Sequence, residues 1–298
     1  MGKVRTTIPS RLATVALLGP RLRQLRERYD GRWLETDPLK FPHRFKNKAD
    51  QEVVAFLSAL LAFGNVKGIF RSIEALLNSL GPEPSLTVKN WTPQQESLLR
   101  NWQHRWVSGR DVSSLLLVLK RIYSSYESLE HCFLRGLNTE SNGIEDGLNT
   151  FSKELIHRVP TRNRTRGFRY LLASPSGGSV CKRMNLFLRW MVRKKAPDLG
   201  LWTRISPKDL FLPLDTHLAR IVRYLGLTRR STNNWKTVVE VTKELQKLDS
   251  KDPISFDFAL ARLGILKECR HRPDSELCPK CPLADVCALN KGRFLKAA

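Results

Sequence analysis

Four of the six cysteines crowd into 19 residues near the end of the chain: Cys269, Cys278, Cys281 and Cys287, spaced C-x8-C-x2-C-x5-C. Four thiolates are the donor set of a tetrahedral zinc ion or of an iron–sulfur cubane, and a C-x2-C pair brings two sulfurs to one centre from a single turn. Zinc sites usually present two close pairs separated by a longer loop. Here the pairs are uneven and all four donors lie on one lasso, stiffened by Pro279 and Pro282. On residue types alone, zinc and an iron–sulfur cluster stay equally open. Arg270, His271 and Arg272 occupy the first loop, where a cationic segment could meet a phosphate backbone.

Two further features could do chemistry. The string PLDTH precedes an apolar–basic pattern over 218–225, which reads as a helix opened by Asp215. Backbone N–H groups and the helix dipole would keep that carboxylate ionised, and capping alone is reason enough for it. Upstream, residues 161–195 hold ten Lys or Arg and no acidic residue. A charge run is usually a solvated face, but 35 residues without a carboxylate point to nucleic acid. Within this run lie an apolar stretch over 168–173, the turn SPSGGS over 174–179 and a helical pattern over 180–194. That pattern puts Met184, Phe187, Leu188 and Met191 on one face and Lys182, Arg189 and Arg193 towards another.

The elements that must position these groups read as helices almost throughout. Apolar residues recur at helical spacing over 51–61, opened by Asp50 as the cap, and over 69–80, stopped by Gly81-Pro82. Residues 112–126, 144–159, 235–248 and 254–266 repeat the pattern, and no alternating strand run appears, so the fold class is all-α. Residues 80–93 and 138–149 read as surface loops, 196–207 as a linker, and the apolar run over 13–19 as a short segment ended by Pro20. The net charge of +23 selects a polyanionic partner. No run is long enough to span a bilayer, so the chain reads as a cytoplasmic monomer whose cysteines are thiols or metal ligands, not disulfides.

LDTHLARI, followed about fifty residues later by the cysteine lasso, resembles the aspartate segment and iron–sulfur loop of the endonuclease III-like helix-hairpin-helix DNA glycosylases. The resemblance implies a [4Fe-4S] cluster on the four cysteines, although the family's first cysteine gap is six residues rather than eight. It also implies a catalytic role for Asp215, as activator of the nucleophile or stabiliser of a cation-like sugar. By the same match, Ser176, Gly177, Gly178 and Ser179 form the hairpin that offers backbone N–H groups to a DNA phosphate, with Arg183 and Arg189 beside it. Lys182, four residues after Gly178, falls where strand-cutting members carry the lysine that attacks the sugar C1′. Two departures stand out: Val180 replaces the second hairpin glycine, and 33 residues separate Lys182 from Asp215. A similar Ser-Pro hairpin and long separation occur in the archaeal 8-oxoguanine glycosylase, which points to an oxidised purine.

The widest resemblance, over residues 30–290, is to bacterial proteins described as a conserved domain of unknown function. It rests on Asp37, Pro38, Arg44, Phe45, LAFGNVKGI, CKRMNLFLRWMVR and PLDTH. Within it, Asn65 and Lys67 stand where endonuclease III places a residue that wedges into DNA; an ordinary Gly-Asn helix C-cap is the equal alternative. The expected layout is an N-terminal segment (1–45) packing on the cluster lobe, a helical barrel (46–205) carrying the hairpin (168–194), and a lobe (206–298) with Asp215 and the cluster. The expected activity is base excision from double-stranded DNA, with AP lyase chemistry. A non-catalytic DNA-damage binding protein of the same fold and a zinc-containing RNA-binding protein are the competing expectations.

Overall fold

A computed structural model describes residues 11–137 and 143–290, with side chains from Leu17 onward. The first half carries helices α1 (Arg11–Arg28), α2 (Lys48–Leu60), α3 (Val66–Leu80), α4 (Pro84–Asn90), α5 (Gly109–Ser125) and α6 (Leu129–Leu134). The second half carries α7 (Ile144–His157), α8 (Arg166–Leu171), α9 (Lys182–Val192), α10 (Thr216–Tyr224), α11 (Trp235–Gln246) and α12 (Asp257–Ile265). Strand among the described residues is one two-residue antiparallel ladder, Gln103–His104 (β1) with Val107–Ser108 (β2), so the fold class is all-α. No helix among the described residues is long and apolar enough to cross a membrane.

At the centre α2 packs along α9. Val53 to Leu60 on α2 and Arg183 to Val192 on α9 are buried without interruption, as a helix surrounded by others must be. Phe56 on α2 meets Phe187 on α9 at 5.0 Å and Phe151 on α7 at 6.0 Å, and Trp202 closes on Phe187 at 5.2 Å. Each such edge-on pair adds about 0.5–1.5 kcal/mol beyond the area it buries.

Several expected boundaries shift for reasons of packing. α2 starts at Lys48, capped by Asn47, whose side chain accepts from the Ala49 amide at 2.8 Å. Asp50 is not the cap. It is buried and accepts from the amide of Ser85 at 2.8 Å, tying down the start of α4. The expected loop over 80–93 therefore contains α4, with Pro84 at its first turn and Val88 and Trp91 buried. Pro20 does not end its segment either. α1 runs through it because Leu18, Leu22, Leu25 and Tyr29 form one buried stripe, and the helix lies against α12. α12 begins at Asp257 rather than at residue 254, because Ser255 and Asp257 donate their amides into a turn on Asp252 and Ile254.

Candidate functional site

Asp215 caps α10 as its position in the sequence requires. Its backbone is extended (φ −104°, ψ −178°) and its Oδ1 accepts from the Leu218 amide at 2.7 Å. Leu218, Ala219, Ile221 and Val222 bury one face of α10, which fixes the direction in which its N-terminus points. The second oxygen, Oδ2, lies 3.8 Å from Nζ of Lys182, the first residue of α9. Lys182 Nζ also donates to the carbonyl of Ala62 at 2.9 Å, so the ammonium is held from two sides. Both side chains are about one-third exposed and line a cleft of about 1070 Å³, whose walls also include Asn65, Lys67 and Tyr170. Residues 33 apart in sequence thus form one ion pair at the mouth of one cavity.

The hairpin that delivers Lys182 is a 3-10 turn, Pro175–Gly177, closed by Gly178 in the left-handed region (φ 72°). Ser176, Gly177 and Gly178 are exposed, but their amides already donate to Asn149 Oδ1, Ser174 O and Pro175 O respectively. Among the described residues the amides of Ser179 and Val180 donate no hydrogen bond. Cys181 precedes α9 with φ 48°, its amide donating to Ser179 Oγ at 3.1 Å.

The cations of α9 are largely not at the surface. Arg189 is 1% exposed, paired with Asp257 at 2.5 Å and with Asp198 at 3.0 Å, and so is removed from the expected phosphate contacts. Arg193 is buried between Asp198 and Asp252, and Arg262 donates to Asp37. These ion pairs join α9, the turn after it, α12 and the N-terminal segment at the back of the cleft. Asp37 is pushed up by burial, but Arg262 and Arg189 outweigh that and hold it below the usual carboxylate range. Asp257 is pushed up by burial more than Arg189 lowers it, and the nearby Asp215 adds to the rise. Arg183 is also buried, its guanidinium 3.9 Å from the Tyr170 ring centroid and 5.2 Å from that of Phe63. Of the ten cations in 161–195, Arg162, Arg166, Arg169, Lys194 and Lys195 are exposed.

Asn65 is a helix N-cap, not a C-cap: its Oδ1 accepts from the Gly68 amide at 2.7 Å at the start of α3. Lys67, two residues on, is exposed.

The cysteine lasso leaves α12 at Cys269, whose amide donates to Leu263 O at 2.8 Å. All four thiols are half-buried and none is disulfide-bonded. Burial raises the Cys281 thiol, and Cys287, Cys269 and Cys278 each raise it further, so the four sulfurs are electrostatic neighbours. No group of three or more His, Cys, Asp or Glu among the described residues is drawn up at the spacing of a single metal ion. α1 braces the lasso through Arg21–Asp285 at 2.6 Å and Arg28–Glu268 at 3.1 Å. Arg270 is engaged with Asp274 at 3.0 Å, whereas Arg272 is exposed.

Sequence reading passed over a contact that links lasso and cleft. His271, in the long first gap, stacks on His217 with Nε2 2.9 Å from its Nδ1, two residues past Asp215. His217 also packs on Gly264, where an added Cβ would stand 3.0 Å from that of His217. The signal was an extra-long cysteine gap containing a histidine. Also passed over were Asp257, which pairs with Arg189, and the rings of Phe63, Trp106 and Tyr170, both groupings being purely tertiary.

No curated protein and no solved structure matches the chain. A family model matches residues 37–266, a span that takes in Lys182 and Asp215 and stops short of Cys269. The chain belongs to the family described as protein of unknown function (DUF2400).

Proposed function

We propose that the protein is a DNA base-excision glycosylase with AP lyase activity. The observation that carries this reading is the Lys182–Asp215 pair, 3.8 Å apart in a cleft large enough for an extruded nucleotide, on a chain of net charge +23. Lys182 is the nucleophile. Once deprotonated, its Nζ bonds to C1′ of the sugar as the N-glycosidic bond breaks, and the base leaves with the bonding electrons and takes up a proton. Asp215 sits close enough to receive the lysine proton and to stabilise the cation-like sugar, a task that suits a carboxylate fixed by a helix cap. Loss of the second amine proton frees the nitrogen lone pair to form C=N as the C1′–O4′ bond opens and O4′ takes up a proton, and after protonation of the imine nitrogen, removal of a C2′ proton expels the 3′ phosphate.

Duplex DNA in the nucleoid is the substrate, held by exposed cations along 161–195 together with Lys67 and Arg272. Cys269, Cys278, Cys281 and Cys287 would hold a [4Fe-4S] cluster, which would supply a rigid fold for the lasso. The donor set suits it, being four neighbouring thiols on one loop braced by α1, with its carboxylates Asp274 and Asp285 already paired to Arg270 and Arg21.

Borohydride trapping on duplexes carrying single lesions, 8-oxoguanine among them, tests the reading. Wild type should give a covalent adduct, Lys182→Ala none, and Asp215→Asn little. An equal adduct from Lys182→Ala would refute the lysine assignment. Release of no base from any lesion would favour a non-catalytic binder of damaged DNA. A brown, broadly absorbing preparation supports the cluster, and a colourless protein with stoichiometric zinc refutes it.

A further inference from the structure

The ladder of β1 and β2 is a hairpin with His104 opposite Val107, leaving Arg105 and Trp106 as its two-residue tip. Arg105 has φ 56°, at a turn position that glycine usually fills. A non-glycine residue in that region is disfavoured by about 1–2 kcal/mol, and such strain tends to persist where it aims a side chain. Here it sets Trp106 half open, 48% exposed, at the edge of the cleft.

Trp106 does not stand alone. Its ring centroid lies 5.4 Å from Phe63 and 5.0 Å from Tyr170, and those two are 5.1 Å apart. Phe63 and Tyr170 line the cleft, and Phe63 directly follows Ala62, whose carbonyl holds Lys182. Two guanidiniums lie on the rings: Arg105 at 5.0 Å from Trp106, and the buried Arg183 against Tyr170 and Phe63. Arg183 has no carboxylate partner among the described residues, and its Nη1 is buried without a hydrogen bond. The tip also rests on the segment after α2: an added Cβ at Gly64 would stand 3.2 Å from Arg105 Cδ. α8, which packs on β2, contributes the exposed Arg166 and Arg169. Three clustered rings flanked by unpaired cations suit a flat, electron-rich ring attached to phosphate.

We propose that Trp106, backed by Phe63 and Tyr170, is a stacking platform for an unpaired nucleobase of a DNA strand passing the cleft beside Lys182. Arg105, Arg166 and Arg169 hold the flanking phosphates. This rests on the reading of the protein as one that acts on DNA, and it adds that the protein favours DNA with a base already out of the helix.

The test compares fully paired duplex with the same duplex carrying one bulged 2-aminopurine, by fluorescence anisotropy and 2-aminopurine quenching. Wild type should bind the bulged duplex more tightly and quench the probe. Trp106→Ala should cut that preference about tenfold or more and relieve the quenching, with an unchanged salt slope. Trp106→Phe should keep most of both, and the circular dichroism of both variants should match wild type. Arg166→Ala with Arg169→Ala should weaken both duplexes together and flatten the salt slope. A wild-type bulge preference and quenching in Trp106→Ala would overturn the platform while leaving trapping through Lys182 untouched. Binding of neither duplex by wild type would overturn the DNA reading itself.

Discussion

Replacing Arg189 by methionine tests whether the buried ion pairs behind the cleft hold the two halves of the site together. Three guanidiniums (Arg189, Arg193, Arg262) face four carboxylates (Asp37, Asp198, Asp252, Asp257), so the group carries 3 − 4 = −1 with every member ionised. Methionine keeps the apolar stem of the side chain and removes the guanidinium with its charge, leaving −2 with the partners of Arg189 still buried. Breaking a buried pair from one side costs about 3–5 kcal/mol, against a total stability of about 5–15 kcal/mol. With a urea slope of about 3 kcal/mol/M, the midpoint should fall by about 1–1.7 M. The pH dependence has a definite sign. Asp257 already titrates above the ordinary carboxylate range because burial outweighs Arg189, so its stabilising contribution is present in acid and lost as pH rises through its folded value. Removing Arg189 raises it further, so the deficit of the variant should shrink as pH falls from neutrality towards the ordinary carboxylate range. Asp37 runs the other way, losing its contribution only below that range. Urea titrations of wild type and Arg189→Met at matched metal content, at several pH values, give both quantities. A midpoint within 0.3 M of wild type at neutral pH (roughly 1 kcal/mol at that slope) would refute the claim that these pairs hold α9, the turn after it and α12 together.

Other outcomes follow from single residues. Asp215→Asn should keep wild-type thermal stability, since asparagine caps as well as aspartate, whereas Asp215→Ala should lose about 1 kcal/mol. If both abolish adduct formation equally, the charge and not the cap does the chemistry. Burial pushes the thiols of Cys132 and Cys181 up to about 12, so neither should be alkylated in the native protein at pH 8 as read by peptide mass spectrometry. Gly178→Ala should cost about 1–2 kcal/mol because of its φ of 72°, while Gly177→Ala should be near neutral in thermal melts, since nothing lies within 4 Å of its added Cβ.

What the sequence reveals follows the range of each interaction. A helix cap is local, so Asp215 and the start of α10 are legible from five residues. Amphipathic stripes are nearly as local, and α3, α5, α7 and α11 lie close to their expected spans. Asp50 misleads because its partner, the Ser85 amide, is 35 residues away and competes with an equally plausible cap role. Arg189 and Arg193 mislead more seriously. They sit in an acid-free run, yet their carboxylates arrive from Asp198, Asp252 and Asp257 only when the chain folds back, which turns a surface-like charge run into a buried one. α1 hides behind Pro20, and the tip of β1–β2 is too short for any alternation to show.

The lasso and the cleft are one mechanical unit, although the family match ends before the first cysteine. Asp215 owes its position to α10, and α10 is steadied at its first turn by two contacts on His217: close packing on Gly264 of α12, and the hydrogen bond between His217 and His271. The second contact comes from His271 inside the first cysteine gap, whose φ of 57° turns the chain back over the helix. A lasso with a collapsed or altered first loop would withdraw one support from beneath the carboxylate 3.8 Å from Lys182. Displacing such a group by about 1 Å costs on the order of a hundredfold in rate when chemistry depends on near-attack geometry. His271→Ala should therefore lower the rate of adduct formation more than it lowers DNA affinity. Equal losses in both would mean that the histidine pair serves the binding surface and not the position of Asp215.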